Sequence, residues 1–197
     1  MTALHEHGAR ISGAALDPDE AQGTFRAVLA ALARPGTVHP LPAAPLERVP
    51  AALLPALALA DLGTPVCVLE EGDTWADVLA TVTSAPVVPL PAARIVAALR
   101  ALRPEELASV PTGSPAAPED GALLAIAVPD VAGGGRRRLS GPGVDGHTTV
   151  APQGLTAELV AARAAAAAAF PAGVDVVLVD PGGRVLGLPR SVTIEED

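Results

Sequence analysis

The chain has 197 residues, of which 13 are basic and 22 acidic, for a formal net charge of −9 at pH 7. Every basic residue is Arg, and Lys, Tyr and Asn are absent. A Schiff base needs an amine that can deprotonate and a P-loop needs its terminal Lys, so lysine-dependent catalysis and standard P-loop nucleotide hydrolysis are excluded. Residues 1–15 are expected to form a disordered tail, and residues 16–197 a single α/β domain. The first element is a helix started by Asp17-Pro18-Asp19-Glu20, in which Asp17 caps, Pro18 needs no N–H partner and Glu20 closes the capping box. Ala21, Phe25, Val28, Leu29 and Leu32 form its expected buried face, and Arg34-Pro35-Gly36 stops it.

A short strand is predicted over Thr37–Leu41 and a helix over Pro50–Leu62, with Leu53, Leu57 and Ala60 as its stripe. Pro65–Leu69 is a continuous apolar run ended by Glu70-Glu71-Gly72-Asp73, the pattern of a strand covered on both faces. Thr74 caps a helix running through Val82, the segment Pro86–Leu90 follows, and the composition of Ala92–Arg103 predicts another helix. Pro104–Asp120 reads as loop, and Gly121–Val128 as a second buried strand. Arg136–Ser140, after the Gly133-Gly134-Gly135 turn, is placed as its antiparallel partner. Leu155, Leu159, Ala162, Ala166 and Phe170 share one face of an Ala-rich helix ended by Pro171. Val174–Val179 and Arg184–Leu188 make a hairpin, and Val192–Ile194 an edge strand. These elements predict a three-layer α/β/α sandwich around a mixed sheet.

With one cysteine, Cys67, the chain can build neither an intramolecular disulfide nor a thiolate metal cage, which fits a reducing compartment. No secretory signal is visible, and Pro, Gly or charge interrupts every apolar stretch before about 18 residues accumulate, so a soluble cytoplasmic protein without membrane contact is expected. The acidic balance and scarcity of aromatics argue against nucleic-acid binding.

A set of segments, taken together and in order, carries a resemblance. It comprises Phe25-Arg26-Ala27-Val28 with Ala33–Val38, Leu62–Val66, Gly113-Ser114, Pro118–Ala122, Leu139–Val144, Phe170–Asp175 and Leu188-Pro189-Arg190-Ser191. This pattern resembles the PhnH family, the H subunit of the bacterial carbon–phosphorus lyase core complex. The resemblance implies a fold similar to the major domain of pyridoxal-phosphate-dependent transferases, used without that cofactor. It also implies a homodimer in isolation and, in the cell, a place beside the G, I and J subunits. With the G, I and L subunits, the family is associated with forming ribose 1-phosphonate 5-triphosphate by displacing adenine from ATP with a phosphonate.

Arg136-Arg137-Arg138, ahead of Ser140-Gly141-Pro142-Gly143, is the local constellation able to cradle a phosphate, because forked guanidiniums and glycine N–H groups both suit oxyanions. Strand alternation puts Arg136 and Arg138 on one face and Arg137 on the other, so the competing expectation is a solvated hairpin or a contact with an acidic partner. Arg34 and Arg190 lie in turns, where they are expected to bond carbonyls at helix and strand ends, with anion binding as the alternative. Glu119 and Asp120 are read as solvated loop charges, Cys67 as an inert core thiol, and His39 and His147 as lone histidines. His5 and His7 lie in the expected tail, and Ser114 and Ser140 lack a nucleophile elbow. No catalytic residue, metal ligand or cofactor site is expected. The preferred reading is a non-catalytic assembly subunit. The alternative is a subunit holding ATP or a phosphonate nucleotide on Arg136 or Arg138 with the Gly141 and Gly143 backbone.

Overall fold

The computed structural model describes residues 2–72 and 74–197, the first five of them by backbone alone. Asp73 and the His5 side chain lie outside the described residues. In chain order the elements are α1 (Thr2–Ala14), α2 (Pro18–Ala33), β1 (Val38–Pro40), α3 (Ala43–Leu46), a 3-10 turn (Ala51–Leu53), α4 (Leu54–Leu59), β2 (Val66–Leu69) and α5 (Thr74–Thr83). A second 3-10 turn (Leu90–Ala92) precedes β3 (Ile95–Ala98), followed by α6 (Pro104–Leu107), β4 (Thr112–Ser114), β5 (Ala117–Gly121) and β6 (Leu123–Ala127). The chain closes with β7 (Arg137–Ser140), β8 (Thr148–Val150), α7 (Ala157–Ala166), β9 (Asp175–Val179), β10 (Arg184–Leu188) and β11 (Thr193–Glu196).

The main sheet has the order β1-β10-β9-β6-β3-β2. Strands β9, β6, β3 and β2 run parallel, and the β10 hairpin strand is antiparallel to both β9 and β1. Val66, Ile95, Leu123 and Asp175 stand side by side, so the four parallel strands begin at one edge of the molecule and end together at the other. Alternation along each strand feeds two cores. Val177 and Val179 of β9 enter the first, with Val28, Ala31, Leu54, Leu57, Val78 and Leu79 from α2, α4 and α5. Val176 and Leu178 enter the second, with Leu107 of α6, Leu159 of α7, Leu139 of β7 and Val150 of β8. The protein is thus a mixed α/β fold around a sheet of parallel and antiparallel strands. The second face departs from a purely helical layer: a separate three-stranded sheet, β11-β7-β8, shares it with α6 and α7.

Several expectations are corrected here. The segment read as a tail carries α1, whose Ala14 is fully buried and whose Ile11 packs on the first core. On α2 the capping box forms as read: Asp17 Oδ1 accepts the Glu20 N–H at 2.8 Å, and Glu20 Oε2 accepts the Asp17 N–H at 3.0 Å. The buried face is Thr24, Ala27, Val28 and Ala31, however, and Phe25 and Leu29 are 46% and 54% exposed. Small residues win that face because α2 lies close against β10; a side chain on Gly187 of that strand would strike the Ala31 carbonyl. The segment 92–103 is not a helix. Its middle, Ile95–Ala98, is a wholly buried strand between β2 and β6, where sheet burial outweighs the helix preference of Ala. Pro104–Asp120, read as loop, contains α6 and the β4–β5 hairpin. Arg136–Ser140 does not return to the central strand; β7 pairs with β11 and β8 instead.

Candidate functional site

The turns that carry the sequence pattern gather at the edge where the parallel strands begin. Arg190, in the turn after β10, grips Asp175 at the start of β9 through Nη2 at 2.8 Å and Nε at 3.1 Å, while Asp175 Oδ1 also accepts the Arg190 backbone N–H at 2.8 Å. Its Nη1 donates to the Pro118 carbonyl at 2.6 Å, tying the β4–β5 hairpin into the same knot. Arg94, just before β3, bonds the Asp120 carboxylate at 2.6 Å and the Glu119 backbone carbonyl, so of the two loop charges Asp120 is paired at the surface while the Glu119 residue is exposed. Before β2, Asp61 accepts from the Thr64 hydroxyl at 2.7 Å and the Gly63 N–H at 3.0 Å.

The glycine loop after β7 belongs to this knot. Gly143 has φ +83°, and a Cβ there would stand 2.6 Å from the Ala33 carbonyl oxygen. Only glycine accepts both the left-handed backbone and that approach to the end of α2. Gly141 lies equally close to the Ser191 carbonyl, at 2.8 Å for a built Cβ. Its loop is therefore wedged between the Arg34-Pro35 and Arg190-Ser191 turns. Arg34 is exposed, and its carbonyl rather than its guanidinium does the bonding, accepting the Thr37 N–H at 3.1 Å and hydroxyl at 2.7 Å.

The arginine triplet meets an acidic one. Strand β11 pairs antiparallel with β7, placing Glu195 opposite Arg138 and Glu196 opposite Arg137. Arg136 reaches Asp197 at 2.9 Å, Arg138 reaches Glu195 at 3.1 Å, and Arg137 lies 3.8 Å from Glu196. The Arg136 bond holds the Asp197 carboxyl below its ordinary range. The carboxylates that face these arginines belong to the chain's own last strand. Ser140 lies beside Thr193 in the same ladder.

Arg163 was not singled out from sequence, and it is the one buried arginine among the described residues, 4% exposed. Its guanidinium donates to the carbonyls of Val192 at 3.2 Å, Leu188 at 3.3 Å and Pro189, so that α7 clamps the turn between β10 and β11. Nε has no partner, and burial pushes the group down to about 10 against the opposing charge of Asp175. A cavity of about 300 Å³ adjoins it, walled by Phe170, Ser191 and Thr193 among others. A lone Arg inside the alanine run of α7 was the available signal, because a charge kept among small apolar residues needs a partner.

Acid–base chemistry finds little here. Among the residues whose side chains are described, the carboxyls that their surroundings move, Asp61, Glu106, Glu158 and Asp197, are lowered, led respectively by the Thr64 hydroxyl, Arg100, a backbone N–H and Arg136. A general acid working near neutrality needs the opposite shift. Cys67 is buried, and burial pushes its thiol up, which keeps it protonated. His147 is exposed, and His39 shares a 2.8 Å hydrogen bond with the Thr37 hydroxyl. Among the described residues no three His, Cys, Asp or Glu side chains converge to hold a metal ion, and no helix is long and apolar enough to cross a membrane.

Comparison with known proteins agrees with the pattern of turns. The family model for bacterial phosphonate metabolism protein (PhnH) matches residues 12–195. The alpha-D-ribose 1-methylphosphonate 5-triphosphate synthase subunit PhnH of Rhizobium meliloti is 32% identical over 205 residues, covering 94% of this chain and 96% of the relative. The chain belongs to the PhnH family of bacterial phosphonate metabolism proteins.

Proposed function

We propose that this chain is a subunit of a cytoplasmic complex that joins a phosphonate to the ribose of ATP, displacing adenine, and that its contribution is assembly rather than a catalytic centre of its own. The relative is named as a synthase subunit, which supports membership in such a complex. One observation carries the non-catalytic reading: four arginines hold the protein's own carbonyls and carboxylates, Arg190 on Asp175, Arg163 on three carbonyls, and Arg136 and Arg138 on the last strand. Guanidiniums so engaged are part of the protein's own framework, which supports a structural role.

The partners are the G, I and J subunits, with L joining for the ribose transfer, and the isolated chain is a homodimer on a scaffold like the major domain of pyridoxal-phosphate-dependent transferases. Exposed apolar side chains supply contact surface: Phe25 and Leu29 on α2, Val38 on the open edge strand β1, and Leu62, which is 77% exposed. Unburied side chains of this size are the usual anchors of an interface. Co-expression with the G, I and J subunits tests the reading. The chain is expected to elute with them, and Phe25→Asp with Leu29→Asp is expected to weaken that association or the homodimer. A monomer that ignores all three subunits, or a purified sample that turns over a phosphonate with ATP unaided, overturns it.

The second reading, a nucleotide held on Arg136 or Arg138, has less support, since Asp197 and Glu195 already occupy those guanidiniums. Isothermal titration of ATP against the wild type and the Arg136→Ala, Arg138→Ala double variant decides it. Tighter binding by the wild type would restore that site.

A further inference from the structure

Two adjacent parallel strands send their connections to opposite faces of the sheet. After β2 the chain passes along the first core, where Val78 and Leu79 of α5 are buried. After β3 it passes along the second, where Leu102 and Leu107 are buried. Such divergence leaves a crevice beyond the carboxyl ends of the two strands, the position at which open α/β sheets take their ligands.

That crevice is present, at the opposite end of the sheet from the patterned turns. An outer compartment of about 340 Å³ is bordered by Arg10, Glu70, Glu71, Thr74 and Trp75. Pro50 and Leu99 line both this compartment and an inner one of about 260 Å³, which runs past the ends of β6 and β9 at Val128 and Val179.

The chemistry of the two compartments differs. Inside, Val49, Ala51, Val128 and Val179 present apolar walls that suit a flat ring. The one carboxyl there, Asp180, is 2% exposed and already accepts from Arg184 Nε at 2.7 Å and its backbone N–H at 3.0 Å. Outside, Glu70 accepts the N–H groups of Trp75 at 2.9 Å and Ala76 at 3.0 Å, which engages it at the start of α5. Arg10 lies over the Trp75 ring, Cζ 5.7 Å from the centroid, and among the residues whose side chains are described no carboxylate stands within 4.0 Å of it. A guanidinium over a ring face is attracted by the ring, and its N–H fork suits an oxyanion. Glu71 is the competing charge in the same compartment, exposed to solvent and therefore screened.

We propose that the crevice is a small-molecule site for a planar ring carrying an anionic oxyacid group, with the ring in the inner compartment and the anion on Arg10 beside Trp75. This goes beyond the assembly role, which requires no small molecule, and it fails or stands separately from co-purification. A nucleoside monophosphate and an aromatic carboxylic acid share the required chemistry.

The chain has one Trp and no Tyr, so its ultraviolet emission reports Trp75 alone. Fluorescence titration with adenosine 5′-monophosphate and with benzoate is expected to give a saturable change for at least one, and which one responds names the source of the ligand. Adenosine and inorganic phosphate, each bringing half of the chemistry, are expected to bind about tenfold more weakly. Arg10→Gln on the surface and Ala51→Leu inside the cavity are each expected to lower affinity about tenfold, with unchanged circular dichroism confirming the fold. If Ala51→Leu does not fold, Leu46→Phe at the rim replaces it. Absence of a saturable response to both probes, equal binding of phosphate alone, or folded variants that bind like the wild type would each overturn the proposal.

Discussion

At the edge where the parallel strands begin, guanidiniums and close-approaching glycines knit the turns together; at the edge where they end, two adjoining compartments open, the outer one bordered by Arg10 and Trp75. Both edges are made from loops of one sheet, yet they solve different problems. The first must satisfy the carbonyls and carboxylates exposed where strands start, and Arg163, Arg190 and Arg94 do so with multiple donors each. The second is left open by topology, because β2 and β3 hand the chain to opposite faces. The arginines and glycines of the first edge therefore report architecture, while the crevice at the second depends on where the fold sends its connections.

The comparison breaks most visibly if the crowded edge tolerates added atoms. Gly121→Ala is expected to be the most damaging single change, because a Cβ there overlaps the Gly173 carbonyl and crowds Arg190. Backbone that cannot give way makes this a loss of at least about 3 kcal/mol or a failure to fold, readable by urea denaturation. Arg163→Met comes next: three carbonyls lose their donor in a buried place, for about 3 kcal/mol, and an unchanged urea midpoint would mean that the clamp is dispensable.

Glu106 sharpens the comparison at the other edge. It lies in the connection after β3, 8% exposed, and accepts from Arg100 at 2.7 and 3.0 Å and from Arg103 at 2.6 Å. Those bonds, Arg100 first, hold its carboxyl well below the usual range. A depressed folded-state pKa stabilises the protein above the unfolded carboxyl's value, and that stability is lost as pH falls through the ordinary range toward the folded value. Glu106→Gln is expected to cost about 2 kcal/mol at pH 7 and less at pH 3, compared by thermal melting against the wild type. A constant difference at both pH values would show that the ion pairs contribute nothing. The smallest effect is expected from Arg136→Ala with Arg138→Ala, whose ion pairs are exposed: about 0.5 kcal/mol, fading in high salt.

Local chemistry made some elements legible. The Asp17-Pro18-Asp19-Glu20 box starts α2 because both reciprocal bonds need no tertiary partner, and the apolar runs at 66–69, 123–127 and 175–179 are strands because a run buried on both faces has few alternatives. Alanine misled twice. In 92–103 its helix preference masked a central strand, and on α2 it hid that the small residues, not Phe25 and Leu29, face the sheet. Arg137 and Arg138 lie in a strand, with Arg136 just before it, but the carboxylates they meet lay beyond local reach, at the other end of the sequence interval from Arg136 to Asp197. Arg190 and Arg34 were expected to bond carbonyls; Arg190 does, together with Asp175, whereas Arg34 remains exposed.

Composition by itself determined that lysine chemistry is out of reach, since a chain whose basic residues are all arginine has no side-chain amine to form an imine, and the ordered set of turn segments was enough to point to the family. Tertiary structure alone decided which arginines are engaged and where open space remains. Ion pairs and crevices join residues distant in the chain, Arg136 with Asp197 and Arg10 with Trp75 and Leu99, and no local pattern encodes a neighbour supplied by the fold.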